Sequence, residues 1–145
     1  MIVCAACFEV SIAGEKAIKE ECVVKCKEVA KIIQEKGLDA GIAAVKQPNS
    51  PFIWKDSYVF IMHINGIMLA HPITPKTEGQ NRLGLRDING KAFAAEYVAI
   101  GKEKGEGWVD YMWKVPNTEQ VKPKTTYVYK VPGQDILVLA GVYAD

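Results

Sequence analysis

The chain has 145 residues, with 18 basic and 17 acidic side chains and a formal net charge of +1. That length suits one domain around one core, and the interspersed charges form no basic track for nucleic acid or anionic lipid. No apolar run reaches the roughly 18 to 20 residues that cross a bilayer, because Glu9, Glu15 and Lys16 interrupt the only candidate.

Residues 1–14 are nearly all small or apolar. They read either as a signal-peptide remnant, although no Lys or Arg precedes Glu9, or as an apolar N-terminal strand or helix packed on the core. Residues 15–145 form the domain. From Glu15 to Lys36, Ile18, Cys22, Val29 and Ile33, joined by Val23, Cys26, Ala30 and Ile32, recur at spacings of three and four. This predicts an amphipathic helix of about six turns. The scatter of Val23, Val24, Cys26 and Val29 predicts an apolar face wider than one sheet needs, leaving a surplus for a parallel helix–helix homodimer contact. Gly37 ends the helix, and a shorter one, Leu38 to Val45, runs into the breaker cluster Gln47 to Pro51.

Two apolar runs, Ser57 to Ile64 and Ile67 to Pro72, flank Asn65-Gly66, the pair that favours a type I′ hairpin turn. A polar loop, Ile73 to Arg86, precedes a helical pattern from Asp87 to Ile100 carrying Phe93, Tyr97 and Ile100, which Gly105 and Gly107 close. Three extended runs follow, Trp108 to Lys114, Val121 to Val131 and Asp135 to Tyr143, separated by turn residues and expected to pair as an antiparallel meander. The fold class is α+β: five strands, a long N-terminal helix, and one helix inserted between strands two and three.

Six separated motifs occur in one order after the long helix: the Tyr58-Val-Phe60 hairpin with Asn65-Gly66 and Leu69-Ala-His-Pro72, Asp87-Ile-Asn-Gly90, Gly105 to Trp113, Pro123-Lys124, Tyr127-Val128, and Ala140 to Tyr143. In this they resemble a single Cache domain over roughly residues 15 to 144. The resemblance implies a PAS-like five-stranded antiparallel sheet with a ligand pocket on the face opposite the long helix. It implies a periplasmic or extracellular sensing role in signal transduction or chemotaxis, with a short carboxylate such as acetate, propionate or pyruvate as ligand. The chain ends directly after its last strand, so it is expected to be either an excised sensor or a free-standing secreted Cache protein, and the apolar start favours the second.

Strand parity locates the pocket independently. Residues two apart share a face, which groups Val109, Tyr111 and Trp113 on one strand and Lys122, Lys124 and Thr126 on the next. If Tyr111 and Trp113 face the pocket, as the resemblance implies, Lys124 and Thr126 join them, and a lysine between aromatic walls suits a carboxylate. The alternative leaves Lys124 solvated on a sheet edge. Phe60 and Tyr97 complete the expected lining. The two arginines, Arg82 and Arg86, lie in the loop before the inserted helix, where Arg82 can close over a ligand or remain in solvent. His71 either donates into the pocket or caps a strand end.

Cys4 and Cys7 with Cys22 and Cys26 support a competing reading as a metal or redox module. Cys22 and Cys26 sit one turn apart on an apolar helix face, which favours buried or disulfide-bonded cysteines instead. No phosphate loop, His-Glu-x-x-His helix, Gly-x-Ser-x-Gly turn or haem-attachment motif is present, so no catalytic residue, cofactor or metal is assigned.

Overall fold

In the computed structural model, which describes residues 15–144, helix α1 spans Lys19–Lys36 and α2 spans Leu38–Lys46. The α1 start falls four residues later than the periodicity suggests. There the Glu21 carboxylate accepts the Ile18 amide at 3.0 Å, and Asp56 accepts that of Ala17 at 2.8 Å, so the first backbone donors are satisfied outside the helix. Gly37, at φ 99° and ψ 164°, turns the chain sharply into α2. Strands β1 (Ile53–Trp54), β2 (Ser57–His63) and β3 (Met68–Ala70) follow, then α3 (Phe93–Glu103), β4 (Glu106–Lys114), β5 (Val121–Lys130) and β6 (Ile136–Tyr143). The added sixth strand, β1, is a two-residue pairing on β2.

The antiparallel sheet runs β1-β2-β6-β5-β4, with β3 also on β2. Because both faces are covered, β2 and β6 are buried almost throughout and the alternation divides two cores. One face carries Val59, Ile61, Val138, Ala140 and Tyr127 against Cys22, Cys26, Val29 and Ile33 of α1, with Val45 of α2. The other carries Tyr58, Phe60, Met62, Leu137, Leu139 and Tyr111 against Phe93, Ala94 and Tyr97 of α3. The sheet and α2 together take up most of the apolar face of α1. Cys26 and Val29 are buried and Val23 packs on the core, which leaves only Val24 of the expected surplus in solvent.

The hairpin also departs from expectation. Gly66 alone carries a positive φ (99°), its amide bonds His63 O at 2.9 Å, and His63 N bonds Ile67 O. The loop is therefore the three-residue type with a glycine bulge, not type I′. The polar loop is held as well: residues 79–82 return along the outer edge of β3 through Gly79 N to Met68 O (2.8 Å), Met68 N to Gln80 O (3.0 Å) and Arg82 N to Gly66 O (2.8 Å). Asp87 to Gly90 form a turn rather than the first helical turn, with Asp87 Oδ1 accepting the Asn89 and Lys91 amides. Asp87 Oδ2 accepts Met112 N at 2.9 Å and so covers the edge of β4. Gly107 lies inside β4, not at the helix end. Lys16 Nζ donates to Ala144 O at 3.0 Å, which ties the start of the described chain to its end.

Candidate functional site

Between the sheet and the α3 side lies a cavity of about 30 Å³, lined by Tyr58, Phe60, His71, Arg82, Tyr97, Tyr111, Trp113 and Lys124 among others. The parity argument holds: Tyr111 stands directly opposite Lys124 in the β4–β5 register, Val109 opposite Thr126, and Trp113 opposite Lys122. Lys124 lies not on a sheet edge but on β5, between β4 and β6, and is only 4% exposed.

Lys124 has no carboxylate partner among the described residues. Its Nζ donates to Tyr58 Oη at 3.2 Å and sits over the rings of Tyr58 (4.8 Å), Tyr143 (5.2 Å), Phe60 (5.7 Å) and Tyr111 (5.9 Å). Desolvation opposes the charge, but Tyr111, Tyr58 and Tyr143 outweigh it and hold the ammonium above the ordinary lysine range. The Tyr143 hydroxyl is a second polar neighbour of the ammonium. Its methylene stem fits because Gly141 faces it: a Cβ there would stand 2.6 Å from Lys124 Cε and 2.5 Å from Thr126 Oγ1.

The phenols form a chain. Tyr97 donates to Tyr111, whose hydroxyl lies 2.9 Å from Thr126 Oγ1. Burial, reinforced by Tyr111, holds the Tyr97 phenol well above its usual value, so it remains a donor at neutral pH. Thr126 thus stands behind Tyr111 rather than in the cavity wall. Aromatic contacts fix the rings, with Phe93 stacked on Tyr111 at 4.4 Å and edge-on to Trp113 at 5.1 Å.

His71 caps a turn and also faces the cavity. Its Nδ1 accepts the amides of Thr74 (3.0 Å) and Ile73 (3.3 Å), which assigns the proton of the neutral ring to Nε2. Desolvation, then the nearby Lys124 and Arg82 charges, pull its pKa down to about 3, so the ring is neutral and offers Nε2–H as a donor. Arg82 reaches the rim, where Nη1 donates to Gln80 Oε1 at 2.7 Å. Arg86 does not reach it and bonds Gly90 O at 2.9 Å. Tyr58 is the site residue that sequence reasoning passed over, although it stands two positions before Phe60 and therefore on the same face.

The cysteines do not join this site. Cys22 and Cys26 are free and buried in the α1 core; desolvation pushes the Cys22 thiol up to about 12 and holds that of Cys26 well above its usual value, with Cys22 adding to the effect. Cys4 and Cys7 lie outside the described residues, as does the whole 1–14 segment.

Comparison with known proteins adds three findings. The family model described as Single Cache domain 2 matches residues 24–145. The chain is 31% identical over 90 residues, 62% of its length, to the methyl-accepting chemotaxis protein McpP of Pseudomonas putida, and 34% identical over 91 residues, 63% of its length, to the sensor histidine kinase MctS of Rhizobium johnstonii. Those stretches make up 16% and 20% of the relatives, so the chain spans a fifth or less of their length. A solved structure described as the structural basis for carboxylic acid recognition by a Cache chemosensory domain superposes with a TM-score of 0.76 at 26% identity, covering 87% of this chain and 92% of that one.

Proposed function

This chain belongs to the Single Cache domain 2 family, and on that premise we propose that its cavity binds a short monocarboxylate of two to four carbons. It is an extracytoplasmic, PAS-like sensor domain related to those of chemotaxis and histidine-kinase receptors. The observation that carries the ligand class is Lys124, a buried ammonium with no counter-anion among the described residues, at the wall of an aromatic cavity. An isolated buried charge is costly. A carboxylate replaces weak ring contacts by charge-assisted bonds in a low dielectric, which strengthens them.

In this reading Lys124 meets one carboxylate oxygen, the Tyr58 hydroxyl and Nε2–H of His71 serve the remaining lone pairs, and Tyr97, whose proton goes to Tyr111, lines the wall. Thr126 orients Tyr111, Phe60 and Trp113 enclose the tail, and Arg82 closes the rim. A cavity of about 30 Å³ holds roughly two waters, so the smallest acids fit best. The likeness to a Cache domain concerned with carboxylic acid recognition supports the same ligand class. The role is binding that reports concentration, without turnover.

The test is calorimetric titration with acetate, propionate, pyruvate and lactate. Wild type should bind at least one, and Lys124→Ala should weaken that binding by about 2 to 5 kcal/mol. Absence of binding to all four, or equal binding by Lys124→Ala, overturns the carboxylate reading.

A further inference from the structure

We propose that Trp113 sets the upper limit on ligand length by walling the lysine cavity off from a second chamber. The inference rests on the carboxylate reading above and deepens it. The second chamber, about 330 Å³, lies against the end of the β4–β5 hairpin, between residues 114–119 and the turn at Ile73 and Thr74. It shares four residues with the lysine cavity: Tyr58, His71, Thr74 and Trp113. Those four form the partition.

Three of them are tied by polar bonds. Tyr58 accepts from Lys124, His71 accepts the Ile73 and Thr74 amides, and Thr74 Oγ1 lies 3.1 Å from His71 Nδ1. Trp113 is different, because it is placed by ring contacts alone, edge-on to Phe93 at 5.1 Å and to Tyr111 at 6.2 Å, and it is half-buried. Its removal opens the partition and breaks no hydrogen bond among the described residues.

The two volumes give the consequence its direction. With the indole present, a chain anchored on Lys124 and directed toward Trp113 has about 30 Å³ before it meets the ring, whereas the wider space of about 550 Å³ that Lys124 and Tyr111 share with Asp110 and Pro123 does not include Trp113. Without the indole, the same chain continues past Ile73, Val115 and Pro116 into a space about ten times larger. Each methylene that gains burial there adds about fourfold in affinity. An acid of five or six carbons, excluded from the wild type, should therefore become the preferred ligand.

The test is the affinity profile across acetate, propionate, butyrate, valerate and hexanoate, measured by calorimetry for wild type, Trp113→Ala and Trp113→Phe. Wild type should bind acetate or propionate and lose at least tenfold by valerate. Trp113→Ala should bind hexanoate at least tenfold more tightly than wild type does, while Trp113→Phe, which keeps a ring in the partition, should retain the short-acid profile. A merely structural Trp113 would instead weaken every acid in parallel, and that result overturns the inference while leaving the carboxylate site standing. Should Trp113→Ala fail to fold, wild type decides alone, since hexanoate binding within threefold of propionate also overturns it. If wild type binds none of the acids, the underlying reading fails first.

Discussion

Replacing Lys124 by methionine should leave the stability of the ligand-free domain close to that of wild type and make it blind to its ligand. Methionine keeps most of the unbranched stem that lies against Gly141 and removes only the charge. In the ligand-free protein the ammonium is 4% exposed and held by one hydrogen bond and four ring faces between 4.8 and 5.9 Å. Cation–π contacts of this kind contribute about 0.5 to 2 kcal/mol each, against a desolvation cost of several kcal/mol. Four such contacts and the hydrogen bond about offset that cost, in keeping with the raised lysine pKa, so ligand-free stability should change by less than about 2 kcal/mol and Tm by less than about 6 °C. A carboxylate at a hundred times its Kd should stabilise wild type by about 2.7 kcal/mol and the variant not at all. Differential scanning calorimetry is the assay, on protein unfolded, dialysed and refolded to strip any retained ligand. A methionine variant that melts more than about 6 °C away from wild type without ligand, or one that still gains stability from the acid, refutes the reasoning.

Other expectations follow from the same geometry. His71, depressed to about 3, refuses a proton that the unfolded chain takes up near 6.5, so its contribution is complete above pH 6.5 and is lost as pH falls toward 3, up to about 5 kcal/mol across that window. Denaturant titrations between pH 7 and 4 should show this slope in wild type and a flatter one in His71→Asn, whose amide oxygen can still accept the turn amides; equal slopes would exclude His71 as the source. Gly141→Ala should displace the Lys124 stem and weaken acid binding at least tenfold, whereas Gly101→Ala, which meets Leu137 Cδ2 at 2.5 Å, should cost about 1 to 3 kcal/mol of stability and spare affinity. Cys22 and Cys26 stay protonated at pH 8, so in a Cys4→Ser/Cys7→Ser background a thiol reagent should label neither until the domain is denatured. Rapid labelling of the native protein would show that α1 lifts from the sheet.

Strand parity made the heart of the site legible. Tyr111, Trp113 and Lys124 required only the period-two rule and one assumption about which face looked inward, and the same rule extends from Phe60 to Tyr58, but it put Thr126 in a wall that Tyr111 occupies in front of it. What parity cannot supply is the path of the segment between β3 and α3, because the bonds that hold residues 79–82 to Gly66 and Met68 have no local signature. For that reason Arg82 and Arg86 are indistinguishable by sequence, although one reaches the cavity rim and the other a surface carbonyl. The hairpin turn differed for a related reason. Asn-Gly fits two loop lengths, and the pairing of His63 with Ile67 selects the longer. The extra apolar residues of α1 looked like a dimer face because periodicity does not reveal that α2 stands beside that helix and uses part of its width.

The bond between Lys16 and Ala144 has a practical consequence. Where the entering and leaving strands of a unit stand side by side, the unit can be spliced into a surface loop of another protein with little stretch imposed on either. Joined through short flexible spacers at residues 16 and 144, this domain could interrupt a fluorescent or enzymatic reporter, and tightening around Lys124 would reach the host through the adjoining Tyr143, whose hydroxyl donates to Lys114 O at 2.6 Å. The same proximity that closes the sheet end makes the fold a cassette.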